Sequence, residues 1–391
     1  MKRRIAIVAS HPIQYHAHWY RELARSPDLE VEVLYAHRAT AGDQAQAGFG
    51  VDFDWDVPLL EGYRYRFLRN VSRKPGLNEF GGTDSPELRS IMIHERFDAV
   101  VVSGWHTKSY WQAIRACWES GTPVMVRSDS HLHDDRPAFR KILKWLPYRY
   151  FISRIDACLA AGTWSRDYFL HYGARPERVF IVPHCTGLTA PVARDVAAHR
   201  RALRSRWGIR ENACVFLFAG KFIARKRPFD FMRAVAAASA PGAPVHGLIV
   251  GDGPLRGEME ELGASLCAPV TFTGFLNQTE MPDAYTAADI LVLPSDQDTW
   301  GLVVNEAMTR GRACIVSDRV GCAPDLIEPG RTGFVFPLGD VHALTEYIRQ
   351  IANTQSMASR MGAEAEKLMA RYSPRAAADA LNRAVAAIME D

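Results

Sequence analysis

A chain of 391 residues is longer than one growing hydrophobic core usually supports and reads as two domains. With 48% hydrophobic and 23% charged residues and no low-complexity tract, it is neither disordered nor fibrous. A net charge of +3 does not indicate a nucleic-acid partner and fits an anionic small molecule equally well.

The opening "MKRRIAIVAS" has too short an apolar run for a signal peptide and predicts a first buried strand over 4–9. No apolar stretch approaches the ~20 residues of a spanning helix. Seven cysteines without a C-x-x-C pair argue against both a zinc site and a disulfide framework, which favours a cytoplasmic location.

After that strand comes "SHPIQYHAHWY" (10–20). Ser10, His11, Gln14, Tyr15 and His16 there either serve a ligand at the strand's carboxyl end or, like His18, Trp19 and Tyr20, belong to the next helix. A second strand is expected over 31–36. In "VDFDWDVPLL" (51–60) two D-x-D patterns invite a metal. Yet Val51, Phe53, Trp55 and Val57 alternate with Asp52, Asp54 and Asp56, the pattern of a half-buried strand, and no metal is assigned.

Strands over 98–103 and 123–128 lead into "SGWHTKSYW" and "RSDSHLHDDRP". His106, Arg127, Asp129 and His131 in these loops are candidates for orienting a hydroxyl, or members of a loop hydrogen-bond network. The stretch 136–151 mixes Arg136, Arg140, Lys141, Lys144 and Arg149 with Phe139, Ile142, Leu143, Trp145 and Leu146. It reads either as a helix covering the sheet or as a peripheral contact with an anionic membrane. Strands over 156–161 and 179–183 complete the first series, and a linker lies near 188–200.

The helical stretch 192–212 opens a second series of strands over 213–220, 245–253, 269–274, 289–295, 312–318 and 333–337. A last helix over 373–391 begins at Ser373 and Pro374. Strands alternating with helices in both halves predict an α/β chain of two Rossmann-like, doubly wound parallel-sheet domains facing a central cleft. Their boundaries are 1–190, 191–372 and a C-terminal helix 373–391 packing back on the N-terminal domain.

Chemistry concentrates in the second series. Gly220 and Lys221 follow a strand, and "RKR" (225–227) adds Arg225, Lys226 and Arg227, cations suited to phosphate. "GDGP" (251–254) is a tight turn and does not complete G-x-G-x-x-G, since position 256 is Arg. In "SDQDTWGLVVNEAM" (295–308) Gly301, Leu302 and Val303 stand where a loop becomes a helix, so their backbone N–H groups can hold an anion. Asp298 and Glu306 flank them, available to sugar hydroxyls.

The motif order "FAGKFIARKRP", "IVGDGPLR", "VTFTGFL", "YTAADILVLPS", "WGLVVNEAM" and "DLIEPGRTGFVFP" resembles family 4 glycosyltransferases of the GT-B architecture. The resemblance covers nearly all of domain two and, in layout, domain one. It implies retaining transfer of a sugar from a nucleoside-diphosphate sugar, UDP- or GDP-linked, to an acceptor hydroxyl, with no metal and no nucleic acid involved.

It also implies that Glu306 holds the ribose, Asp298 the transferred sugar, and the amides of Gly301 and Leu302, with Trp300 and Val303 beside them, the diphosphate. Lys221 and Lys226 neutralise that diphosphate, and Gly274, Phe275 and Leu276 read the base. The catalytic and acceptor side falls to domain one, at Asp129, His131, His106, His11, Gln14, Tyr15 and Arg127. The family's usual first acid is glutamate, so Asp298 is a departure. A sugar-nucleotide epimerase and a non-catalytic nucleotide-sugar-binding scaffold are the competing readings.

Overall fold

A computed structural model describes residues 2–44, 51–133, 138–187, 195–239 and 244–390. It contains two parallel sheets. The first runs over β1 (Arg3–Ala9), β2 (Leu29–Tyr35), β3 (Arg64–Phe67), β4 (Ala99–Val102), β5 (Val124–Ser128), β6 (Ala157–Ala160) and β7 (Val179–Ile181), in the order β3-β2-β1-β4-β5-β6-β7. The second runs over β8 (Cys214–Ala219), β9 (Val245–Val250), β10 (Val270–Gly274), β11 (Ile290–Leu293), β12 (Ala313–Ser317) and β13 (Gly333–Phe336), in the order β10-β9-β8-β11-β12-β13.

Both are doubly wound α/β sheets. Their central strands are apolar on both faces because helices cover both; all six residues of β8 are buried, and so are all four of β4 and of β11. Burying a Val, Leu or Phe side chain in this way contributes roughly 1.5–3 kcal/mol each. The strand order reverses between β1 and β4 and between β8 and β11, the places where loops of open α/β sheets splay apart and ligands bind.

By contacts, one compact unit comprises Met1–Asp43, Pro58–Gly187 and Tyr372–Asp391, and the other Gln44–Val57 and Leu188–Arg371. The C-terminal helix Pro374–Met389 is capped by Ser373, which accepts from the amide of Ala376. Its Ala377, Leu381, Val385 and Ile388 share a core with Trp19, Tyr20 and Leu23 of the helix Gln14–Ala24.

Two details depart from the sequence reading. Strand β3, "RYRF", carries no apolar run. It is an edge strand held to β2 partly by charge, with Arg64 paired to Glu30 and Arg66 3.3 Å from Glu32. The stretch 51–57 forms no strand. Its alternation of half-buried and exposed residues is real, but it arises from an irregular segment lying on the second unit. There Phe53 packs on Phe275 at 4.4 Å, Asn277 donates to the carbonyl of Asp54 at 2.8 Å, and the amide of Thr279 donates to Asp56 at 3.2 Å. Asp52, Asp54 and Asp56 of the D-x-D patterns are the exposed residues of this alternation, and Asp56 still accepts from Thr279.

Candidate functional site

In the second unit, the loops after β8, β9 and β10 are tied together by main chain. Gly220 N–H donates to Val250 at 3.0 Å, Phe222 N–H to Asp252 at 2.8 Å, and Gly251 N–H to Gly274 at 2.9 Å. Gly251 has φ +134°, and a Cβ there would collide with the Gly220 carbonyl, so only glycine lets the two loops approach. Gly220 and Lys221 therefore sit on a rigid frame beside Gly274, Phe275 and Leu276.

Lys221 is half-buried. Burial, then repulsion from Lys226 and Arg225, draws its ammonium down to about 8, against an opposing pull from Asp298. Lys226 ends the short 3-10 turn Ala224–Lys226 and forms an ion pair with Asp298. A main-chain bond from Asp296 N–H to Arg225 at 2.8 Å keeps that turn against the loop carrying Asp298.

The loop from β11 to the helix Leu302–Thr309 is pinned on its other side. Gly321 N–H donates to the Asp298 carbonyl at 2.9 Å, Cys322 N–H to Trp300 at 2.9 Å, and Ser317 Oγ to Ser295 at 2.5 Å. Gly301 takes φ +93° as the residue before the helix, a left-handed conformation that sets the first amides of Leu302 and Val303 at its N-terminus.

Trp300 is buried, and its indole N–H donates to Asn305 at 2.8 Å; it anchors the loop from beneath. Glu306 is also buried, in the second turn, and accepts from the hydroxyl of Tyr285 at 2.5 Å. The structure thus brings Lys221, Lys226, Asp298, Gly301, Leu302, Val303 and Glu306 onto adjoining loops of one sheet.

The first unit gathers a second cluster at the carboxyl ends of its strands. Gln14 and Arg127 are buried, Tyr15 and Asp129 half-buried. The Arg127 guanidinium lies 5.0 Å over the Trp19 ring and donates to Nδ1 of His184 at 3.2 Å, which fixes the other ring nitrogen as the N–H. That Nε2 lies 3.7 Å from Asp129. Nε of Arg127 has no hydrogen-bond partner among the described residues.

His16 is held well below the usual histidine range, chiefly by burial and then by Arg127, His184 and His11, with Asp129 opposing. His184 is lowered by burial and by Arg127, again against Asp129. His11 bonds Ser10 at 3.0 Å, and His106 is exposed, packed edge-on against Tyr110 at 5.2 Å. His131 is buried 5.5 Å from the Trp164 ring and accepts from the amide of His133 at 3.2 Å. Of these, Arg127 and Asp129 join the His16–His184 network, while His131 packs against Trp164.

The model of group 1 glycosyl transferases matches residues 199–368, and that of the glycosyl transferase 4-like domain matches residues 12–185. The chain belongs to the family 4 glycosyltransferases. This family member is 33% identical over 244 residues to the alpha-D-kanosaminyltransferase of Streptomyces kanamyceticus, covering 61% of this chain and 62% of that one. It is 31% identical over 286 residues to the D-inositol 3-phosphate glycosyltransferase of Streptomyces scabiei, covering 70% and 63%. The chain therefore spans less than two thirds of either relative's length.

The family member also shares the GT-B fold of Anabaena Alr3699/HepE, solved in complex with UDP. The TM-score is 0.74 with 15% identity, over 98% of this chain and 99% of that one.

Sequence reasoning missed two residues of these clusters. Tyr285 lies inside "DAYTAADI", where an aromatic reads as core. His184 follows β7 in "IVPHCTG", and its place after a strand end was the available signal.

Proposed function

We propose that this protein transfers a sugar, with retention of anomeric configuration, from a nucleoside-diphosphate sugar to an acceptor hydroxyl. The observation that carries the reading is the convergence of Lys221, Lys226, the Gly301–Val303 amides and Glu306 on loops at the carboxyl ends of one parallel sheet. A second structure of HepE holds UDP and glucose, which supports the same donor class here. The two Streptomyces relatives are named as transferases, and neither the epimerase nor the scaffold reading finds support in them.

In this reading the anomeric C–O bond to the diphosphate breaks as the acceptor oxygen bonds the same carbon, and the acceptor proton passes to the departing phosphate oxygen. Lys221, Lys226 and the helix N-terminus stabilise the charge that gathers on the diphosphate. Glu306, oriented by Tyr285, holds the ribose hydroxyls, and Gly274, Phe275 and Leu276 border the base. The acceptor is recognised from the first unit, by Asp129, Arg127, Gln14, Tyr15, His11, His106 and His131.

Calorimetric titration with UDP-glucose and GDP-glucose tests the donor claim. Binding of one of them, lost in Glu306→Ala, is expected; no binding by either would remove the proposal's basis.

A peripheral membrane contact is part of the proposal. The helix Ala138–Ile152 carries four basic residues and no acidic one, and its Phe139, Leu143, Leu146 and Tyr150 are 59%, 72%, 69% and 64% exposed. Their spacing of four, three and four places them on one helical face. The opposite side does cover the core, through Tyr148, Phe151 and Ile152. Such a face suits a bilayer with anionic headgroups better than a second copy, whose like charges would repel. Co-sedimentation with vesicles containing phosphatidylglycerol, absent with pure phosphatidylcholine and lost in L143E/L146E, is expected; equal sedimentation of the variant would refute the contact.

A further inference from the structure

The carboxylate of Asp298 is committed. It forms an ion pair with Lys226 in which both side chains are about five-sixths buried, at 15% and 16% exposure, and Ser295 Oγ lies 3.5 Å from the same oxygen. Its backbone is fixed by the bond from Gly321 N–H and by a bridge to Val320. A carboxylate on so short and so firmly anchored an arm cannot swing far to meet a hydroxyl.

Lys221, Arg225 and Lys226 supply three positive charges to this corner, and burial, then repulsion from Lys226 and Arg225, lowers Lys221. Asp298 is the carboxylate that opposes them in that balance. We infer that Asp298 is an internal counter-ion of Lys226 which competes with the donor's diphosphate for that ammonium, and is not a ligand of the transferred sugar.

The inference rests on the diphosphate lying at Lys226, as proposed above. A group carrying two phosphates brings more negative charge to Lys226 than one carboxylate, so it displaces or shares the ammonium at some cost in affinity. After transfer, the same carboxylate recaptures Lys226 and promotes release of the nucleoside diphosphate. Specificity for the sugar then lies with other groups, and the aspartate in place of the usual glutamate adjusts product release.

The test is Asp298→Asn, which keeps the shape and removes the charge, with folding of the variant verified by its thermal melt. Three probes are titrated into wild type and variant: inorganic pyrophosphate, UDP and UDP-glucose. The counter-ion role is expected to tighten all three by a common factor, roughly fivefold or more at low salt, shrinking as salt is added.

Unchanged pyrophosphate and UDP affinity with weakened UDP-glucose would overturn the inference in favour of a sugar-hydroxyl ligand. A common weakening of all three would also overturn it, since Asp298 would then be holding Lys226 in the pose the phosphates need. Tighter pyrophosphate binding by the variant, with no nucleotide bound by either protein, would uphold the counter-ion and reject the donor reading. Pyrophosphate binding equal in both proteins, or absent from both, rejects the counter-ion.

Discussion

The hydroxyl of Tyr285 donates to Oε2 of Glu306 at 2.5 Å, and both side chains are buried. A buried carboxylate depends on such donors, because each hydrogen bond it loses exposes it to the full cost of leaving water. Tyr285→Phe keeps the ring and deletes the donor. It should lower unfolding stability by about 1–3 kcal/mol. Donor affinity should fall along with stability, because Glu306 loses its fixed orientation. Urea denaturation and calorimetry with UDP measure the two effects, and an unaltered UDP affinity would detach Tyr285 from the site.

The pH dependence of donor binding follows from Lys221. Burial, then Lys226 and Arg225, brings its ammonium down to about 8 in the ligand-free protein. A bound diphosphate favours the charged form, so binding takes up a proton once the pH passes 8. Affinity for UDP should be nearly level from pH 6.5 to 7.5 and then decline, by at most about tenfold per pH unit. Lys221→Arg keeps its charge throughout, and titrations at pH 7, 8 and 9 should show its profile flat over that range.

Much of this was legible in the sequence for a physical reason. The strands of the second sheet are buried on both faces and so appear as apolar runs, "VFLFA" and "ILVL" among them, and Gly301 and Glu306 follow at fixed steps along one loop and helix. Strand β3 was not legible, because an edge strand stabilised by Arg64–Glu30 and Arg66–Glu32 pairs has no apolar signature. Nor was the placement of 51–57, since period-two alternation describes any extended segment with one packed face.

The Lys226–Asp298 pair was hidden for a different reason. Sequence supplied each residue's charge but not the fold in Lys226's turn that points it at Asp298. His184 is 57 positions from Arg127, and only the adjacency of β5, β6 and β7 unites them.

Acid should weaken the first unit through two histidines kept neutral, the buried His184 and the half-buried His16. His16 and His184 are both lowered in the folded protein, first by burial and then by Arg127, while in the unfolded chain they titrate near 6.5. Below that value the unfolded state binds protons that the folded state refuses, so stability is intact above pH 6.5 and declines as pH falls. Each such histidine removes up to ~1.4 kcal/mol per pH unit until its folded form also protonates. Urea unfolding at pH 7.5, 6.5 and 5.5 should show this decline, and a H16Q/H184Q variant should show a shallower one. Parallel slopes for the two proteins would place the acid sensitivity elsewhere.

Gly321 tests how far the donor site depends on the loop beneath it. Its amide holds the carbonyl of Asp298, and a Cβ added to it would lie inside van der Waals contact of the Thr299 carbonyl. Because that obstacle is backbone, it cannot yield by a rotamer change, and the loop Asp298–Gly301 has to move. Gly321→Ala should therefore lose about 2 kcal/mol or more of stability. UDP binding should weaken further than stability alone accounts for, since the displaced loop leads into the first amides of the helix Leu302–Thr309. The control is Gly257→Ala in the helix Arg256–Ser265, where a Cβ meets nothing within 4 Å. There the substitution should stabilise by roughly 0.5–1 kcal/mol and leave UDP affinity alone. If Gly321→Ala melts at the wild-type temperature and binds UDP normally, the loop is looser than its three main-chain and hydroxyl bonds imply, and the donor site does not depend on it.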